Sequence, residues 1–367
     1  VNKETRLRML KKLFLLILLS GISLVVVIIV ALQQPINAVG SSVKDNEANN
    51  QQGIVVEIRK GQTLSQLAYN WQAQGWLPHA KVLLLQARIL DNAKDLKPGE
   101  FELPASTRVY QILTLLTQGS SKTYKVSFIE GTRLIDILPR LEQAPKLIQD
   151  IQPLTTDNIQ KILGLQTLAE GWIYPDTYVY HHGDSVSSIL KQAHARMQSV
   201  LNEEWQSYQN KLAKQHIKQL PYKTAYEALV MASIVEKETG QASERPEIAG
   251  VFVRRLEKNM RLETDPTVIY GLGEDYQGNL RKKHLRDRSN PYNTYRTKGL
   301  PPTPIALAGR AAINAALNPD NGDSLYFVAK GDGSHYFSTS LAEHNKAVHE
   351  YQIYRRSKDY RSAPAAK

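Results

Sequence analysis

Apolar residues recur along this chain in three patterns, and each marks a different kind of element. From Leu13 to Leu32 they form a continuous run of about 20 residues, broken only by Ser20, Gly21 and Ser23. That is long enough to cross a hydrocarbon core of ~30 Å as one helix. The run is followed by Gln33-Gln34-Pro35 and not by a small-x-small cleavage site, which predicts an uncleaved anchor. Lys3, Arg6, Arg8, Lys11 and Lys12 precede it, so residues 1–12 read as a basic cytoplasmic tail, 13–32 as the transmembrane helix, and all that follows as lying across the membrane. In a Gram-negative source that side is the periplasm and the membrane is the inner one. Residues 33–52 are polar, show no apolar period, and read as a flexible linker.

The second pattern is short and β-branched. Ile54–Ile58 predicts a strand, Gly61 breaks it, and Thr63 can cap a helix through Ala68. A second helix is predicted from His79 to about Leu90, and a turn and strand from Leu96 to Leu103. Strand, helix, helix, strand, with Lys60-Gly61-x-Thr63-Leu64-x-x-Leu67-Ala68 at the first turn, resembles a LysM module over residues 53–122. The resemblance implies binding of N-acetylglucosamine polymers; a spacer that borrows the fold satisfies the same residues. A helix over Arg108–Thr117 and a strand over Thr123–Ile129 lead into a larger domain, 123–360, with a tail at 361–367. The predicted class is α+β: one membrane helix, a small βααβ module, and a mixed α+β catalytic domain.

The third pattern is helical. In Met231-Ala-Ser-Ile-Val-Glu-Lys-Glu-Thr239, Ile234 and Val235 lie one turn behind Glu238 and Met231 two turns behind, which sets Glu238 on an apolar stripe and Glu236 on another face. A carboxyl held against apolar surface keeps its proton closer to neutral pH, as a general acid must. A helix-end glutamate with only its stem buried fits the same pattern, because Leu229 and Val230 make the helix apolar on more than one side.

Around this helix lie three groups of possible sugar contacts. Glu170–Tyr178 packs Trp172, Tyr174 and Tyr178 beside Asp176, a mixture suited to sugar faces and hydroxyls and equally to an aromatic loop closing a core. Met260–Gly271 carries Glu263, Thr264, Asp265 and Thr267; Pro266 and Gly271 predict a loop here in place of a plain helix. Asn290–Pro304 is rich in turn formers and carries Tyr292, Asn293 and Tyr295. Ser324–Lys330 and Ser334–Thr339 predict a hairpin across Gly331-Asp332-Gly333, with His335 and His344 nearby in structural roles.

Composition narrows the chemistry. The 367 residues contain no cysteine, so disulfides, thiolate metal sites and cysteine nucleophiles are excluded. His181-His182 has no third ligand in reach, and no metal site is expected. The net charge of +11 raises nucleic-acid binding, but no aromatic-basic motif or finger spacing supports it. Solvated faces and attraction to an anionic polymer account for the charge.

Ala232–Thr239, Glu244-Arg245, Val251–Leu256, Thr264–Gly271, Tyr292–Tyr295, Gly299–Pro302 and Leu325–Ala329 together resemble the YceG-like family over nearly the whole chain. The resemblance implies lytic transglycosylation of peptidoglycan: cleavage of the β-1,4 bond between N-acetylmuramic acid and N-acetylglucosamine, with Glu238 as acid and base. Thr239, Glu263, Thr264, Asp265, Thr267, Tyr292, Asn293, Tyr295, Trp172 and Asp176 are the candidate substrate contacts. The family's pattern has Gln where this chain has Glu263, which leaves open a second carboxylate at the cleft. The implied partners are glycan strands and peptidoglycan synthases at the inner membrane, with no cofactor. A hydrolytic muramidase using Asp265 or Glu263, and a non-catalytic wall anchor, are the other two readings.

Overall fold

The computed structural model describes residues 3–36, 53–59, 61–91, 93–104, 106–215 and 217–354. In chain order the elements are α1 (Lys3–Gln33), β1 (Ile54–Ile58), α2 (Leu64–Ala73), α3 (Ala80–Leu90), β2 (Gly99–Leu103), α4 (Val109–Thr117), β3 (Thr123–Ser127), α5 (Leu134–Glu142), α6 (Thr156–Leu163) and β4 (Thr177–His181). There follow α7 (Val186–Gln215), α8 (Ala225–Glu238), α9 (Arg245–Glu257), α10 (Asp265–Leu272), α11 (Lys282–Arg286), α12 (Arg310–Leu317), β5 (Tyr326–Ala329), β6 (His335–Ser338) and α13 (Leu341–Val348). The fold is mixed α+β, and among the described residues there are three two-stranded sheets, β1–β2, β3–β4 and β5–β6. The chain divides into a smaller unit, residues 1–124 with 179–184, and a larger one, residues 125–178 with 185–367.

In the smaller unit, α1 extends through the basic residues as well as the apolar run, and Arg6–Gln33 is long and apolar enough to cross a membrane. Its Leu, Ile and Val side chains from Leu10 to Val30, Ile28 apart, are exposed, which in water would be untenable and in lipid is not. The next four residues depart from the expected flexible linker. Gln33 Oε1 accepts from Arg108 Nη1 at 2.6 Å, Ile36 N donates to Thr107 O at 2.9 Å, and Val109 N donates to Gln34 O at 3.1 Å. Ile36 is buried among the module's own apolar residues, and that burial holds residues the polarity of the segment would have left loose. The remainder of the expected linker, 37–52, and the tail at 361–367 lie outside the described residues.

The module itself runs β1-α2-α3-β2, with β1 and β2 antiparallel and Ile54 opposite Leu103. Ile54, Val56 and Ile58 face inward by strand alternation and meet Leu67, Trp71 and Leu83 of the two helices. Thr63 caps α2 as expected, in a reciprocal pair with Gln66: each side chain accepts from the other's backbone N–H.

The larger unit is built around α8, whose residues from Ala228 to Glu236 are all buried. Thr224 caps its start by accepting from Glu227 N at 3.2 Å. Helices α12, α9 and α7 pack on it, and Met231, Ile234 and Val235 join Phe252, Ile305 and Ile313 in one core. A helix so enclosed leaves little room for polar groups. Ser233 resolves its burial by donating to Val230 O at 2.7 Å and accepting from Ile305 N at 3.0 Å.

Two local outcomes matter for the site. Residues 265–272 are a helix, α10, where a loop was expected: Pro266 sits in the first turn, where its missing N–H costs no hydrogen bond. Gly271 marks a close approach and not an end, since a Cβ there would lie 2.0 Å from Asn290 Oδ1. The hairpin forms as expected, with Ala329 opposite His335 and both turn glycines, Gly331 (φ 97°) and Gly333 (φ 91°), in the left-handed region.

Candidate active site

Helix α8 ends at Glu238 because Thr239 turns extended, with its hydroxyl accepting from Gln241 N at 3.0 Å. That places the last carboxyl of a buried helix, itself half-buried, at the wall of a cavity of about 630 Å³ in the larger unit. The volume falls in the ~300–1,000 Å³ range of small-molecule sites. Glu263, Thr264, Asp265 and Tyr295 line the same cavity.

Thr264 Oγ1 donates to Glu238 Oε1. The carboxyl is nevertheless pushed up to about 7, first by burial, with the neighbouring Asp265 carboxylate adding repulsion and the Thr264 bond opposing both. Near neutral pH such a group can both give and take a proton. Asp265 Oδ1 accepts from Tyr295 OH at 2.7 Å, and burial followed by Asp265 raises the Tyr295 phenol well above its ordinary value, which keeps it a donor.

The backbone beneath these groups is fixed by hydroxyls. Thr264 N donates to Thr294 Oγ1 at 3.1 Å, Thr267 Oγ1 donates to Thr264 O at 2.8 Å, and the Thr267 and Thr294 hydroxyls lie 2.9 Å apart. Glu263 beside them adopts φ 53°, rare for a residue with a side chain. Its carboxylate meets Arg255 Nη1 at 3.2 Å, and the same nitrogen donates to Leu262 O at 3.0 Å. A second carboxylate therefore does reach the cavity wall at Glu263, already paired with a buried guanidinium.

Of the other candidate contacts, Thr239, Thr267, Tyr292, Asn293, Trp172 and Asp176 are not in this wall, among the described residues. Asn293 is fully buried and donates to the His284, Leu285 and Asp287 carbonyls; Tyr292 OH lies 2.8 Å from Thr303 Oγ1. Trp172 stacks on Tyr226 with ring centroids 5.6 Å apart, and Asp176 accepts from Thr177 N at 2.7 Å. These side chains organise the loops and core around the site. Conversely, the hairpin and α13 bring in residues that local pattern did not single out for binding. Tyr326, His335 and His344 line the cavity together with Arg255. His335 Nδ1 is 2.7 Å from Glu244 Oε2, which fixes the ring, and His344 stacks on Tyr326 with centroids 5.2 Å apart. Among the described residues no group of three or more His, Cys, Asp or Glu could hold a metal ion.

The profile of the YceG-like family matches residues 56–350. The chain belongs to the YceG-like family. A Bacillus subtilis relative named endolytic murein transglycosylase is 31% identical over 278 residues, 71% of this chain and 74% of that protein. A Streptococcus pneumoniae protein of the same name is 25% identical over 338 residues, which are 83% of this chain and 59% of that longer protein. A crystal structure of a protein described as yceG-like, from Listeria monocytogenes, superposes with a TM-score of 0.50 at 31% identity, covering 81% of this chain and 99% of that one. The YceG-like match includes α8, α10 and the hairpin, and so every wall of the cavity up to Val348.

Proposed function

We propose that this protein is an endolytic lytic transglycosylase of peptidoglycan, with Glu238 as the sole acid and base. The observation that carries this reading is the half-buried Glu238 carboxyl, raised to about 7, at the wall of a cavity large enough for sugar residues. Protonated Glu238 gives its proton to the glycosidic oxygen as the bond from muramyl C1 to that oxygen breaks. The resulting carboxylate takes the proton of the muramyl C6 hydroxyl as that oxygen bonds to C1. The products are a free N-acetylglucosamine 4-hydroxyl and a 1,6-anhydro-muramyl end. Glu238 is left protonated, and no water is consumed. Acid and base assistance of this kind supplies ~10²- to 10⁴-fold. The names of the two relatives support the same chemistry.

One observation favours hydrolysis as a second reading. Asp265, held by Tyr295, is a further carboxylate in the same cavity besides Glu263, and paired carboxylates are what a hydrolase uses to activate water. Product ends separate the two. Digestion of purified sacculi should yield anhydro-ended fragments by mass, and Glu238→Gln should lower their yield by orders of magnitude while sacculus binding persists. Reducing ends would replace the mechanism, and an active Glu238→Gln would remove its centre.

The same reading gives α1 as an anchor in the inner membrane, with its basic end cytoplasmic and both units periplasmic. The βααβ module is then a LysM-like binder of glycan, and cleavage of nascent strands beside the synthases terminates their elongation. A protease added outside spheroplasts should degrade nearly all of the chain except the span and what precedes it; a protected larger unit would reverse the orientation.

A further inference from the structure

Resting on that functional reading, we propose that the cationic segment from Arg281 to Arg288 binds the carboxylates of the stem peptides that muramyl residues carry, so that the enzyme selects peptide-bearing strands. Arg281, Lys282, Lys283, Arg286 and Arg288 are exposed, against the single carboxylate of Asp287. None of the five has a carboxylate within 4 Å among the described residues.

The placement of the segment sets it apart from an ordinary solvated charge run. The chain enters it through Tyr276 and Leu280 and leaves it towards Tyr295, and all three line the cavity that holds Glu238. The segment therefore begins at the wall of that cavity, Arg281 following Leu280 directly, and in this proposal its cations form the rim. They are also fixed there: Asn293 Nδ2 donates to the carbonyls of His284, Leu285 and Asp287, and Arg296 Nε donates to Leu285 O at 3.0 Å. A buried asparagine spent on holding five like charges together, at a cost in mutual repulsion, has its return in an anionic ligand.

The ligand chemistry follows from the substrate. While the lactyl carboxyls of its muramyl residues are amide-linked to peptide, the glycan backbone is uncharged, so the anionic groups that cations can meet on such a strand are those of the peptides. Muramyl residues carry peptides through the lactyl group at C3, and those peptides bear free carboxylates at their C-terminus and along their length. A muramyl ring whose C1 lies at Glu238 carries its peptide on C3, two ring carbons away.

Binding can be read without turnover. The full chain carrying Glu238→Gln, in detergent, is titrated with uncross-linked peptide-bearing strands and with the same strands stripped of peptide by an amidase, which keep only the one lactyl carboxylate per muramyl residue that the cut exposes, in parallel with Arg281→Gln/Lys282→Gln/Lys283→Gln added to it. A control triple, Lys161→Gln/Lys191→Gln/Lys214→Gln, removes the same charge elsewhere. We expect the unmodified rim to prefer peptide-bearing strands by about tenfold at low salt, and the rim triple to bring that preference close to one. The control should keep it, and salt at ~0.5 M should erase it. No preference before substitution, a preference that survives the rim triple, or an equal loss in the control would overturn the proposal. So would a rim triple that keeps its strand preference but loses binding to vesicles of anionic lipid, which would assign the rim to the membrane. Cleavage by the unsubstituted chain is scored separately: failure there refutes the transglycosylase reading and leaves the binding result standing on its own.

Discussion

Thr264 and Asp265 are consecutive residues that push the same proton of Glu238 in opposite directions: the Thr264 hydroxyl donates to the Glu238 carboxylate, whereas the Asp265 carboxylate repels it. The level of about 7 is therefore a balance struck by burial and tuned by two neighbours. If protonated Glu238 starts the reaction, the rate declines as pH rises through that value. Thr264→Val keeps the shape of the side chain and removes the donor. The alkaline limb of the rate profile should move to higher pH, with the maximal rate down about fivefold for one lost hydrogen bond. Thr264→Ser should restore both. A limb that moves to lower pH would mean that Thr264 does not stabilise the charged form.

Asp265→Asn should do the reverse. Removing the repulsion lowers the Glu238 level, so the alkaline limb moves to lower pH, while the amide oxygen that replaces the carboxylate can still accept from Tyr295 OH. Profiles of the two variants on one soluble glycan substrate check the pair. A shift of both limbs in the same direction would show that the neighbours act through structure and not through charge.

That Glu238 ends an apolar helix was legible in the sequence, but the apolar stripe behind it was not what set it apart, since α8 is buried on every face from Ala228 to Glu236. Thr264, Asp265 and Tyr295 were legible as polar residues on turn-rich stretches, and all three reach the cavity. The helical state of α10 was not, because a proline reads as a breaker from its identity alone, and only its place in the first turn makes it compatible. Arg255, His335 and His344 were missed for a different reason. No local period ties α9, the hairpin or α13 to the end of α8; only packing in three dimensions does. Trp172 and Asn293 are the converse case: aromatic and amide groups suit sugars and core loops equally, and in the structure Tyr226 and three carbonyls hold them.

A second carboxyl of the larger unit is raised to about 7. Glu170 is buried and caps α5 by accepting from Leu134 N at 3.0 Å; burial is the main cause of its shift, and the Leu134 bond opposes it. Its folded value lies above the unfolded one of about 4.5, so its contribution to stability is complete below about pH 4.5 and is lost as pH rises through 7. The loss amounts to about 3 kcal/mol by pH 9. Glu170→Gln keeps the acceptor and cannot ionise. Thermal unfolding at pH 5 and pH 8.5 should show a flatter pH dependence in the variant than in the parent. An equal or steeper dependence would contradict the burial of Glu170 as its cause.

Glu236 and Glu238 lie two residues apart and should fail in opposite ways. Glu236 is buried, meets Arg245 Nη2 at 2.8 Å and accepts from Gly309 N at 3.0 Å, so it ties α8 to α9 and to the start of α12. Glu236→Gln would leave the buried Arg245 with Glu130, 3.8 Å away, as its one remaining charged partner among the described residues. Breaking a buried pair from one side costs on the order of 3 kcal/mol. The variant should melt several degrees lower yet, below its melting point, keep most of its cleavage rate. Glu238→Gln removes a carboxyl whose ionisation is opposed by burial, so above pH 7 it should melt no lower than the parent while losing its cleavage by orders of magnitude. Melting curves and product yields measured on the same preparations decide between the roles. An inactive, fully stable Glu236→Gln would move the chemistry to Glu236, because burial in an ion pair would then have failed to keep it from the substrate.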